Sequence, residues 1–167
     1  PFELNADSVR VLTSGQEEEQ EEKQSTDVSL EMLWVEPGTF TMGSPTSENG
    51  HRSNETQHEV TLTNGFWLGK HEVTQAQWEN VMGDNPSHFK GADRPVEIVS
   101  WDEVTSFCEK LTEMEDEAGR LPAGMAYQLP TEAQWEYACR AGTKTAYAFG
   151  DSLTSDQANI RGDRPHE

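Results

Sequence analysis

His71 and Glu72 are the first residues of this 167-residue sequence whose order suggests chemistry. A His-Glu pair opens the zinc-protease helix motif, in which a second imidazole four residues on completes the metal's side-chain pair. Position 75 is Gln, so that reading fails. His51, His58, His88 and His166 show no ligand spacing with a cysteine pair. Cys108 and Cys139 lie 31 positions apart and read as buried thiols or disulfide halves rather than nucleophiles. No phosphate-cradling glycine loop, EF-hand loop or nucleophile elbow is present. Asn54-Glu55-Thr56 spells a glycosylation sequon and Arg161-Gly162-Asp163 an integrin tripeptide, both short enough to arise by chance. Spacing alone yields no active site.

Charge narrows the partners. Twelve Lys and Arg against 31 Asp and Glu give a net charge of −19, which opposes unaided binding to nucleic acid or an anionic membrane. No apolar run approaches the roughly 18 residues of a spanning helix, and no basic-then-apolar signal peptide opens the chain. It begins with Pro1 rather than Met, which reads as a start that was cut away or processed. Two cysteines are too few for a disulfide scaffold.

The elements that would position any site begin late. Residues 1–31 carry nine acidic and two basic side chains, and 16–24 contain no apolar residue. Such a run cannot bury enough surface to offset the entropy of ordering, so 1–27 reads as a flexible acidic leader or linker and 28–167 as the domain. Val9-Arg10-Val11-Leu12 reads as the end of a strand. Met32–Val35 and Thr39–Gly43 read as strands flanking a Glu36-Pro37-Gly38 turn. Residues 44–57 are polar and read as an exposed loop. Val60 and Leu62 alternate with threonines, and Asn64-Gly65 then predicts a hairpin into Phe66–Gly69. Three capping boxes start helices: Thr74 with Gln77, Ser100 with Glu103, and Thr131 with Gln134. The second helix carries an apolar stripe of Trp101, Val104, Phe107, Cys108, Leu111 and Met114; the third is expected to bury Trp135, Ala138 and Cys139 and to pair Glu136 with Arg140. Trp101, Phe107, Trp135 and Tyr137 are the expected core aromatics. Short strands, a few helices and long loops predict an α+β fold.

Longer strings carry a resemblance. Phe40-Thr41-Met42-Gly43-Ser44, Lys70-His71-Glu72-Val73-Thr74-Gln75-Ala76-Gln77-Trp78 and Arg94-Pro95-Val96-Glu97-Ile98-Val99-Ser100-Trp101 resemble successive blocks of the formylglycine-generating enzyme (sulfatase-modifying factor) family. Leu129-Pro130-Thr131-Glu132-Ala133-Gln134-Trp135-Glu136-Tyr137-Ala138 is close to its "R-L-P-T-E-A-E-W-E-Y-A" signature, departing at Gln128 and Gln134. Phe149-Gly150-Asp151 and Ala158-Asn159-Ile160 follow in order. The Asn85–Gly91 segment is similar to a variant found more in the broad bacterial membership than among proven oxidases.

The resemblance implies a C-type-lectin-like α+β domain, incomplete at its C-terminal end. It makes the quoted motifs mostly architectural, with Glu132 and Glu136 as network partners. It implies an oxidase that converts a sulfatase cysteine within Cys-x-Pro-x-Arg to formylglycine using molecular oxygen and Cu(I) on a later cysteine pair. Cys108 and Cys139 match positions that in some members form disulfides to later residues, so no catalytic residue is carried onto them. Asn159 and Ile160 match the residues that supply oxygen ligands to a structural calcium, which needs six to eight oxygens in all. The implied partner is a sulfatase-like protein. The alternative use of the same scaffold is a non-catalytic binding or display module.

Overall fold

The computed structural model describes residues 9–10, 28–154 and 156–158. The acidic run at 15–27 lies outside them. Val9–Arg10 (β1) pairs antiparallel with Ser29–Leu30 (β2), as the reading of 9–12 as a strand end suggests. Then follow β3 (Met32–Val35), β4 (Gly38–Met42), β5 (His58–Leu62), β6 (Phe66–Gly69), α1 (Gln75–Met82), α2 (Trp101–Glu117) and α3 (Glu132–Arg140). Two compact units share them: residues up to 34 with 67–129, and residues 35–66 with those from 130 on.

In the first unit, α1 and α2 start at the expected capping boxes. Thr74 accepts from the Gln77 N–H while Gln77 reaches back to the Thr74 N–H, and Ser100 and Glu103 do the same. Each box satisfies two backbone donors that a helix start otherwise leaves open. Trp78 of α1 stacks flat on Phe107 of α2, centroids 5.1 Å apart, and Leu111 completes a small buried core. Val73, Val81, Val96, Val99, Val104 and Cys108 pack around it. β6 pairs with β3, where the Trp34 and Trp67 rings lie 5.4 Å apart.

In the second unit, β4 and β5 pair antiparallel with Phe40 opposite Val60. The hairpin expected at Asn64-Gly65 does not form. Neither residue takes the positive φ that a tight two-residue turn needs, and the two flanking strands find different partners. Tyr137 of α3 packs on Phe40, centroids 5.2 Å apart, and its hydroxyl lies against Gly38, where a Cβ would collide with it. The third capping box also forms, with Gln134 serving as the N3 partner of Thr131.

Two expected core aromatics are exposed. Trp101 is 69% and Trp135 59% accessible. Trp101 is the first residue of α2, about 120° round the helix from Phe107, and a helical Cβ leans toward the N-terminus, past the last packed turn. Trp135 and Cys139 each lie two residues from Tyr137, about 200° away from the side that meets β4. Cys139 is accordingly exposed rather than buried. The α2 stripe instead ends on Glu115, which is fully buried.

Candidate functional site

The first unit contains an open cleft of about 500 Å³ lined by Glu31, His71, Glu72, Thr74, Gln77 and Asp93 together with Ser29, Leu30 and Pro95. Its walls are tied by the main chain. The Lys70 N–H donates to the Glu31 carbonyl at 3.0 Å, and Gln77, besides closing its capping box, donates from Nε2 to the Ser29 carbonyl at 2.6 Å. The opposite wall is laced to the start of α1: Val96 N–H to Val73 O (2.9 Å), Gln75 N–H to Arg94 O (2.8 Å) and Ala76 N–H to Ala92 O (3.0 Å). Three carboxylates thus share a cleft built from backbone contacts. Glu31 receives Lys70 Nζ at 2.9 and 3.0 Å, whereas Glu72 and Asp93 have no hydrogen-bond or ion-pair partner among the described residues. Such a cleft favours a cation.

Behind it, Gln75 is 1% exposed and meets all four of its hydrogen-bonding needs. Nε2 donates to the carbonyls of Phe89 (2.9 Å) and Pro95 (3.2 Å), and Oε1 accepts from Asn85 Nδ2 and the Gly91 N–H, both at 3.0 Å. Buried Ser87 accepts from the Glu97 N–H at 3.0 Å, and Glu97 accepts from the Phe89 N–H at 2.7 Å. Position 75, which removes the zinc-protease reading, is therefore the organiser of the loop that carries the Asp93 wall.

The second unit holds a constellation that sequence spacing does not disclose. Ser44 Oγ lies 2.7 Å from His51 Nδ1 and 2.8 Å from Glu55 Oε2. A carboxylate only accepts, so Ser44 donates to Glu55 and the imidazole donates from Nδ1. His51 cannot then take the hydroxyl proton, and the trio pins the neck of loop 44–57 rather than forming a nucleophile. The Ser44 hydroxyl bond and the Arg52 N–H hold the Glu55 carboxyl below its ordinary pKa. A polar loop following Gly43-Ser44 was the sole signal.

The other sequence-singled residues do not converge. Both cysteines are free thiols. Burial pushes the Cys108 thiol up, with nearby Glu109 adding to it, which disfavours the thiolate that binds soft metals. No three His, Cys, Asp or Glu side chains among the described residues group to hold a metal. Asn159 and Ile160 lie outside the described residues. Glu136 is a network partner as expected, whereas Glu132 is exposed. No helix among the described residues is long and apolar enough to cross a membrane.

The sulfatase-modifying factor enzyme 1-like domain model matches residues 16–164. The chain belongs to this family. It is 35% identical to a chaperone protein, LppX, of Paenibacillus barcinonensis over 159 residues, covering 80% of this chain and 54% of that protein. It is 27% identical to the formylglycine-generating enzyme of Mycobacterium tuberculosis over 168 residues, covering 72% and 55%. Among solved structures, variable protein 1 of Treponema denticola matches with a TM-score of 0.61 at 28% identity, covering 73% and 56%. The chain spans about half the length of these relatives. The α+β reading and the family assignment made from the motifs therefore stand.

Proposed function

We propose that this sulfatase-modifying-factor-like chain recognises a polypeptide segment through its acidic cleft, which receives a basic side chain such as the arginine of a Cys-x-Pro-x-Arg sequence. The observation that carries the proposal is the pair of unpartnered carboxylates, Glu72 and Asp93, in a cleft large enough for a guanidinium and its stem. The family supplies the substrate class, since relatives include proteins named formylglycine-generating enzymes. Oxidation of the substrate cysteine with copper and oxygen falls to thiolates other than Cys108 and Cys139 in this reading. Asn159 and Ile160 are kept as oxygen donors to a structural calcium that would need further donors.

A second reading, a non-catalytic binding module, is favoured by the 35% identity to a protein named a chaperone. Both readings require peptide binding, and only the first requires conversion of the cysteine to an aldehyde. The test is fluorescence polarisation with a labelled Cys-Ala-Pro-Ala-Arg peptide and its Ala-ended control. Tighter binding of the Arg peptide, weakened by Glu72→Gln and by Asp93→Asn, is the expected result. Equal binding of the two peptides would refute the cleft's role.

A further inference from the structure

We infer that Asn64 is a site of spontaneous covalent modification, converting to isoaspartate and aspartate through a cyclic imide with Gly65, and that the fold directs this reaction to Asn64 rather than Asn49. The sequence holds two Asn-Gly pairs, Asn49-Gly50 and Asn64-Gly65. As sequence they are equally reactive, because glycine has no Cβ to hinder attack by its own backbone nitrogen. Both asparagines are exposed, so access to water does not separate them. Backbone restraint does. Asn49 and Gly50 are the central residues of a turn closed by the His51 N–H, which donates to the Glu48 carbonyl at 3.2 Å, with Gly50 at φ 85°. His51 is itself tied to Ser44 at 2.7 Å, and Asn49 is engaged by a neighbouring group. Asn64 and Gly65 stand between β5 and β6 with no hydrogen bond to either of them among the described residues. The tight turn that would fix their dihedrals does not form, since neither takes a positive φ.

The deprotonated Gly65 nitrogen attacks Cγ of Asn64. A Cγ–N bond forms, the Cγ–Nδ2 bond breaks, and Nδ2 leaves as ammonia with the displaced proton. Water then opens the ring at either carbonyl and returns a proton to the nitrogen, so one water enters, one ammonia leaves, and nothing is oxidised or reduced. Opening at the main-chain carbonyl gives isoaspartate, which routes the chain through the side chain and lengthens the β5–β6 connection by a methylene. Either product adds a negative charge to a chain already at −19. At Asn49 the closed turn must open before the nitrogen can reach Cγ, so only the open fraction reacts.

The test incubates the full chain at mildly alkaline pH, native and in urea, and follows both pairs by peptide mapping with mass spectrometry. Heavy-oxygen water marks each new carboxylate, and an isoaspartyl carboxyl methyltransferase marks isoaspartate. In urea the two pairs should convert at similar rates. In the native chain Asn64 should stay near its unfolded rate and convert roughly fivefold faster than Asn49, the factor that one net turn hydrogen bond supports. Gly65→Ala, which the backbone accepts because φ at 65 is not positive, should slow Asn64 severalfold and leave Asn49 unchanged. Equal native rates, or a faster Asn49, overturn the inference, as does an Asn64 that stays intact natively while converting in urea. An undiminished Asn64 rate in Gly65→Ala overturns the imide route. If circular dichroism shows that Gly65→Ala unfolds the chain, Asn64→Gln replaces it: its longer side chain closes a ring far more slowly, and conversion at position 64 should cease.

Discussion

The carboxylate of Glu136 accepts a hydrogen bond at 2.9 Å from the backbone N–H of Gly43, a residue 93 positions earlier. Arg140, one turn further along α3, closes a triangle by donating to Glu136 Oε1 at 2.8 Å and to the Gly43 carbonyl at 2.9 Å. Gly43 sits at φ 90°, and a Cβ there would lie 2.6 Å from the Glu55 carbonyl. The family's Met-Gly-Ser and Glu-Trp-Glu-Tyr strings are thus two halves of one contact within the second unit. Glu136→Ala should destabilise that unit by about 1–3 kcal/mol, because it leaves the Gly43 N–H and the Arg140 Nε–H without their acceptor. Urea unfolding monitored by tryptophan fluorescence measures it; a loss below about 0.5 kcal/mol would contradict the assignment.

Glu115 and Arg120 form the second contact worth testing. The carboxylate is fully buried, and the guanidinium donates Nε to Oε2 at 2.9 Å and a terminal nitrogen to Oε1 at 2.7 Å. Removing one partner strands a buried charge, so Arg120→Met should cost about 3–5 kcal/mol. Replacing both with methionine should cost less than Arg120→Met alone. A double variant less stable than the single would show that the pair itself, and not the stranded charge, carries the effect.

Acid sensitivity follows from Glu55 and Glu103. Hydrogen bonds from Ser44 and Arg52 hold Glu55 below the ordinary 4.5, and Ser100 does the same to Glu103 from its hydroxyl and backbone N–H. A depressed folded-state pKa gives stability that is present above the unfolded value and lost as pH falls through the folded one. The parent should therefore lose its advantage over Glu55→Gln below about pH 4.5, with the loss completed at lower pH. Loop 44–57 should become more open to limited proteolysis in the parent over the same range. A stability gap between parent and variant that stays constant from pH 6 to pH 3 would exclude this account.

Some of this architecture is legible without coordinates because it is local. A capping box needs only four consecutive residues, and all three form where Thr74, Ser100 and Thr131 predict them. Phe107 and Leu111 keep their places because a mid-helix stripe is fixed by periodicity. Trp101 and Trp135 do not, since hydrophobicity says that a side chain favours burial but not which neighbour will cover it. The strand pairing is illegible for the same reason: Asn64-Gly65 permits a hairpin, whereas the Phe40–Val60 register selects β4 for β5. The cleft was hidden because Glu31, Glu72 and Asp93 are ordinary surface acids in sequence, brought together by main-chain bonds between distant segments. His71-Glu72 drew notice for a metal motif it does not complete, yet Glu72 lines the cleft.

Gln75 offers the sharpest test of how that cleft is held. Its amide donates to two carbonyls and accepts from two N–H groups inside a site 1% exposed, so a near-isosteric change disturbs charge and hydrogen bonding with little change of volume. Gln75→Glu keeps the acceptor for Asn85 and Gly91 but faces a carboxylate toward the carbonyls of Phe89 and Pro95. Ionisation there is opposed by burial and by both carbonyl dipoles, so the variant's folded-state pKa must lie above its unfolded value. The variant's stability deficit should be smallest below the unfolded pKa, about 4.3 for glutamate, and should grow as pH rises through the folded one. At pH 7 the deficit should reach about 2–4 kcal/mol, with amide exchange quickened across residues 85–97 before the rest of the first unit. Gln75→Leu, unable to ionise, should be destabilised with no such pH dependence. A Gln75→Glu deficit that does not vary with pH would mean that position 75 is open to solvent and that the loop carrying Asp93 is held by something else.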